Sequence, residues 1–206
     1  MKRFVLILLL MQAAGSLCGQ VRMRDIFAAA PDSIFPLLTK NNRLDCIDFV
    51  ENKMTARVRN RLGDVAELRT LTDSYLLLQV SAHSTAEMRL LSDSLFCLIY
   101  TYQGPAPDSR VRFFDTTWKP LSVDCPQPRV EEFFAPVPDS LQREVGFVQQ
   151  SLAALRLVRI QASADEPVLT FSLQTSELEK KEREVAQRFV QPLRFRWDGA
   201  KFVRQL

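Results

Sequence analysis

Residues 76–102 read LLLQVSAHSTAEMRLLSDSLFCLIYTY, and the spacing of apolar and turn-forming residues in this stretch decides the fold class. Leu76 to Val80, Ala86 to Leu90 and Leu95 to Tyr102 have the length and two-residue alternation of strands, separated by Ala82-His83-Ser84 and Ser92-Asp93-Ser94. Asp and Ser favour turns because their short side chains hydrogen-bond nearby backbone. Breaks this short cannot carry a parallel crossover, so the strands are expected to run antiparallel as a meander. Leu95 to Tyr102 is apolar at nearly every position, which predicts a strand covered on both faces.

The meander extends in both directions. Upstream, Ala56 and Val58 alternate with Arg57 and Arg59, and Leu68 lies between Glu67 and Arg69, before the break Thr72-Asp73-Ser74. Downstream, Gly104 to Pro107 turn the chain into a further strand, Arg110 to Asp115. Helices flank these strands. Met23 to Ala30 and Ser33 to Leu38 read as short helices, the second capped by Asp32, and Arg43 to Asn52 gathers Cys46, Ile47, Phe49 and Val50 on one side. Five prolines at 120, 126, 128, 136 and 138 mark an extended connection.

Beyond it a helix opens at Asp139, strands follow at Leu155–Ala162 and Val168–Leu173, and an amphipathic helix runs over Glu177–Val190 with a Ser176/Glu179 capping box. The chain ends on a hairpin, Leu193-Arg194-Phe195-Arg196-Trp197, turning at Asp198-Gly199 into Phe202 and Val203. A two-residue turn there would set Phe195 opposite Phe202 and Arg196 opposite Lys201. The expected class is α+β: an antiparallel, meander-rich sheet packed against an N-terminal helical hairpin and C-terminal helices. Residues 20–206 are read as one domain, with two tandem helix-plus-sheet units divided near 120–138 as the alternative.

Residues 1–19 read as a cleavable signal peptide: Lys2 and Arg3, an apolar run from Phe4 to Met11, then small residues Ala13 to Ser16. The run is well short of the roughly 20 residues a permanent span needs. Bulky Leu17 before Cys18 disfavours lipidation, so the expectation is an exported, periplasmic or envelope-associated protein without a lipid anchor. Losing Lys2 and Arg3 lowers the formal charge from +3 to +1, which excludes a general nucleic-acid binder. Cleavage also leaves three cysteines, Cys46, Cys97 and Cys125; an odd number is no disulfide framework, and whether one bridge forms stays open.

Four features together resemble a Bacteroidales-associated family of small exported proteins classed as a domain of unknown function. They are the signal peptide, Met23 to Phe27 leading to Pro31-Asp32-Ser33, the segment Leu37 to Asp45, and the ending Arg194 to Val203. The resemblance implies an exported protein of an anaerobic Gram-negative bacterium, and it brings no activity or catalytic residue.

The residues themselves point to no catalytic, cofactor or metal site. His83 is the single histidine, so a centre built on several imidazoles is excluded. The six glycines are scattered and make no phosphate-binding fingerprint. Arginine on the polar side of strands is the informative feature, at positions 57, 59, 61, 69, 89, 110, 112, 194 and 196. Arg57, Arg59, Arg194, Arg196 and Lys201 form the expected binding face, on the argument that like charges facing each other on a sheet want acidic partners. Glu67 and Glu87 on a wetted face would satisfy the arginines equally well. The leading expectation is therefore a non-catalytic binding protein for another envelope protein or an acidic envelope component. A hydrolase whose site assembles only in three dimensions and a carrier of an apolar ligand are the alternatives.

Overall fold

The computed structural model describes residues 21–205; the signal peptide and the Leu17-Cys18 junction lie outside the described residues. Two short helices, α1 (Met23–Ala28) and α2 (Lys40–Glu51), precede seven strands: β1 (Arg57–Arg59), β2 (Val65–Leu71), β3 (Tyr75–Ser81), β4 (Ser84–Ser92), β5 (Leu95–Gln103), β6 (Pro107–Asp115) and β7 (Pro120–Leu121). These make one antiparallel sheet in chain order, as the turn spacing predicts. The connection then passes through short 3-10 turns at Val130–Phe133 and Asp139–Leu141 into α3 (Gln142–Leu155). β8 (Val158–Ala162), β9 (Val168–Leu173), α4 (Lys180–Phe189), β10 (Leu193–Trp197) and β11 (Phe202–Gln205) follow. The second sheet has four antiparallel strands in the order β11-β10-β9-β8.

Two hydrophobic clusters explain the layering. Phe96 and Leu98 of β5 face the N-terminal helices, packed with Phe27, Phe35, Ile47, Leu76 and Phe114. Cys97 and Ile99, pointing the other way, join Phe113 and the inner face of the second sheet: Ile160, Phe171, Leu193, Phe195 and Trp197. β5 is apolar at successive positions because it is the strand buried on both sides. Val148 and Leu152 of α3 and Ala186 of α4 close the second cluster.

Several local expectations are corrected. Residues 31–38 form isolated turns and no helix, since Pro36 lacks the N–H that a continuing helix needs. Asp32 accordingly caps nothing; its carboxylate meets Arg43 at 3.1 Å and Arg61 at 3.4 Å. The polar run at 39–42 belongs to α2, because Thr39 and Asn42 close a reciprocal capping box, both bonds being 3.1 Å. At α4 the Ser176/Glu179 box does not form; Glu179 is the N-cap without a side-chain bond, and Arg183 instead holds the carbonyls of Ser176 and Leu178.

The final hairpin also shifts. Asp198 accepts from the N–H groups of Ala200 and Lys201, each at 2.8 Å, so the loop takes in residues 198–201 and Gly199 adopts φ 106°. Arg196 then pairs with Val203 and Trp197 with Phe202, while Lys201 sits in the loop.

Glu87 and Arg89, expected on a wetted face, are buried at 4% and 5% exposure. The second sheet covers them. Glu87 accepts from the Tyr75 hydroxyl at 3.1 Å and from the Ala162 N–H at 3.0 Å. Arg89 donates to Ser74 Oγ and to the carbonyls of Ala164 and Asp165. This polar seam fastens the β8–β9 hairpin to β4.

Burial raises the Glu87 carboxyl above its ordinary pKa, against the lowering effect of its hydrogen bonds and Arg159. A carboxyl raised in the folded state contributes stability below the unfolded pKa and loses it as pH rises through the folded value. We therefore expect Glu87→Gln, which keeps an oxygen acceptor, to gain on the wild type as pH rises above 4.5. Thermal denaturation across pH measures the difference; a Glu87→Gln variant that loses stability relative to the wild type as pH rises would contradict it.

Candidate functional site

The anticipated arginine face divides between the two sheets. Arg57 and Arg59 lie on β1, where Arg57 pairs with Glu67 at 3.1 Å and Arg59 donates to the Gly63 carbonyl at 3.2 Å. Arg194 and Arg196 lie on β10, where Arg196 reaches Glu166 at 3.4 Å. Exposed pairs of this kind contribute little to stability, about 0–1 kcal/mol.

A different pair of arginines is brought together with aromatic side chains. The β5–β6 register sets Arg110 opposite Tyr100 and Arg112 opposite Leu98. Two residues apart on one strand, the arginines share a face, with Cα atoms about 7 Å apart. Tyr100 and Tyr102 stack on the neighbouring strand, ring centroids 6.0 Å apart at 28°. The turn segment at Ser33, Ile34, Pro36 and Leu37 forms the opposite wall of a cleft of about 340 Å³.

Local structure fixes this cleft. Arg43, 1% exposed, donates to the carbonyls of Ala30 and Leu38 and to Asp32, tying both ends of the turn segment to α2. Phe35 packs beneath, with Tyr100 at 6.2 Å and Trp118 at 6.0 Å. Arg112 is held over the Phe114 ring at 4.9 Å.

The electrostatics of the cleft are one-sided. Among the described residues neither Arg110 nor Arg112 forms an ion pair. Asp108, on the same strand, accepts from the Val158 N–H at 3.4 Å. Tyr100, pushed above its ordinary range by burial and then by Tyr102, keeps its proton at neutral pH. The cleft thus offers two guanidinium groups, a neutral phenol, an exposed aromatic ring and the side chains of Ser33 and Ser84. Guanidinium forks bind carboxylate or phosphate bidentately, and aromatic faces take an apolar or sugar surface.

Elsewhere the titratable groups have structural settings. His83 is exposed in the β3–β4 turn. Burial pushes the thiols of Cys46, Cys97 and Cys125 up to about 11, about 12 and about 11, so none is a thiolate nucleophile at neutral pH. All three are free thiols. Among the described residues no three His, Cys, Asp or Glu side chains gather as a metal-binding group. No helix among them is long and apolar enough to cross a membrane.

Residues 17–202 match the family described as "Protein of unknown function (DUF3256)". The chain belongs to the DUF3256 family. A solved structure of a domain of an uncharacterized protein from Porphyromonas gingivalis W83 is similar to this DUF3256 chain at a TM-score of 0.70 and 27% identity, over 89% of this chain and 98% of that one. Among curated proteins no match is found. In this DUF3256 chain the segment from Pro31 to Asp45 builds one wall of the arginine–tyrosine cleft and includes the arginine that braces it.

Proposed function

We propose that this protein is a non-catalytic, exported binding protein that holds an acidic envelope saccharide in the cleft between residues 33–37 and strands β5 and β6. The single observation carrying the proposal is the adjacency of Arg110 and Arg112, without acidic partners among the described residues, beside the stacked Tyr100 and Tyr102. Two guanidinium groups about 7 Å apart repel each other, and an anion held between them relieves that repulsion. Stacked rings add a surface suited to the C–H face of a sugar, with carboxylates directed to the guanidinium forks. The basic, apolar and small-residue order of residues 1–19 supports export; an intact Lys2 in protein recovered from the producing cell would speak against it.

Calorimetric titration with trigalacturonate tests the binding reading, with maltotriose as the neutral control. We expect binding at about 20 mM salt that weakens steeply at about 300 mM, as screening requires. Arg110→Glu with Arg112→Glu should weaken it by more than about tenfold in a folded protein, with only a small fall in unfolding temperature from the lost Arg112–Phe114 contact. Equal binding of maltotriose, or an unaffected double variant, would refute the assignment.

A further inference from the structure

A second cavity, independent of the arginine–tyrosine cleft, lies on the inner side of the four-stranded sheet. It is an open groove of about 470 Å³ beside the proline-rich connection at residues 126–131. Its floor is apolar: Val158 and Ile160 of β8, Phe171 and Leu173 of β9, with Phe133 beside them. These side chains belong to the second hydrophobic cluster, so the groove runs along one edge of that core.

The mouth has a distinctive cation. Arg156 follows α3 in the left-handed conformation, φ 48° and ψ 39°, a position that glycine usually takes after a helix. A non-glycine residue there stores strain. Its N–H closes the helix onto the Leu152 carbonyl, and its side chain lines the cavity. Arg129, Glu131 and Arg156 all line the pocket, a net positive set; among the described residues Arg156 has no ion-pair partner, and Arg129 is 3.8 Å from Glu132. An apolar floor beside a rim of net positive charge complements a molecule with an apolar chain and a single anionic head.

We infer that this cavity binds a carboxylate-headed acyl chain, the chain lying over Ile160 and Phe171 and the head meeting Arg156. Native mass spectrometry and calorimetry with dodecanoate, below its micellar range, test this against dodecanol and dodecyltrimethylammonium. Dodecanoate is expected to bind one-to-one, and the other two at least about tenfold more weakly, because only the carboxylate forms a charge-assisted pair. Arg156→Gly removes the guanidinium and relieves the backbone, so it should lose dodecanoate affinity by about tenfold with no fall in unfolding temperature. Arg156→Lys should restore part of it. Ala153→Trp, from an exposed helix position lining the cavity, should block binding in a folded protein. No dodecanoate binding, equal binding of dodecanol, or indifference to Ala153→Trp would overturn the inference. The Arg110→Glu, Arg112→Glu variant should bind dodecanoate normally, which separates failure here from failure of the saccharide reading.

Discussion

Replacing Arg43 by methionine is expected to lower the unfolding free energy by about 2–5 kcal/mol, because two backbone carbonyls lose their buried donor. Methionine fills much of the volume but donates nothing. The carbonyls of Ala30 and Leu38, which Arg43 reaches at 2.5 and 2.8 Å, would lose that donor, and each buried unsatisfied group costs about 1–3 kcal/mol. Asp32 would keep only its exposed contact with Arg61. Arg43→Lys should fall in between, because an ammonium cannot reproduce the planar fork that spans three acceptors. Urea denaturation measures the change. A loss below about 1 kcal/mol for Arg43→Met would mean that the turn segment is held by Phe35 and Leu38 packing alone.

Trp118→Ala is expected to cost about 3–5 kcal/mol, as large aromatic truncations in a core do. The indole is 6% exposed, meets Phe96 edge-to-face at 4.9 Å, and donates its Nε1–H to the Ile26 carbonyl at 2.8 Å. It thus joins α1 to the seven-stranded sheet across 92 residues of sequence. Its backbone is left-handed, φ 68°, an arrangement a bulky residue adopts only when its surroundings enforce it. A second comparison follows. Trp118→Gly loses the same ring but sheds the strain, so it should be more stable than Trp118→Ala by about 1 kcal/mol. If glycine proved the more damaging, the strained conformation would not persist once the ring is gone.

Much of the fold was legible because strand period and turn spacing are local properties. The breaks at 72–74, 82–84 and 92–94 fall at the turns of the meander, and the unbroken apolar run of β5 correctly implies cover on both faces. Alternation tells which side chains share a face and says nothing of what will cover that face. Glu87 and Arg89 therefore looked like solvent-facing residues, although a hairpin some 75 positions later in the chain buries them. The final turn extends two residues further on the return side than Asp198-Gly199 implies, because Asp198 caps Ala200 and Lys201, a choice between turn types that Asp-Gly alone does not make.

The candidate cleft is half visible for the same reason. Arg110 and Arg112 stood out as arginines on a strand, but their meeting with Tyr100 depends on the β5–β6 register, and the second wall depends on Arg43 bracing a segment expected to be helical. Arg57, Arg59, Arg194 and Arg196 were grouped by composition of their strands; strand period alone could not show that they would enter two different sheets.

Backbone amide chemical-shift mapping during titration with trigalacturonate at low salt tests the central claim most directly. The account predicts shifts concentrated at Ser33–Leu37, Tyr100, Tyr102 and Arg110–Arg112, with Arg194 and Arg196 unmoved. Shifts centred on β10, or none in the arginine–tyrosine cleft, would contradict it.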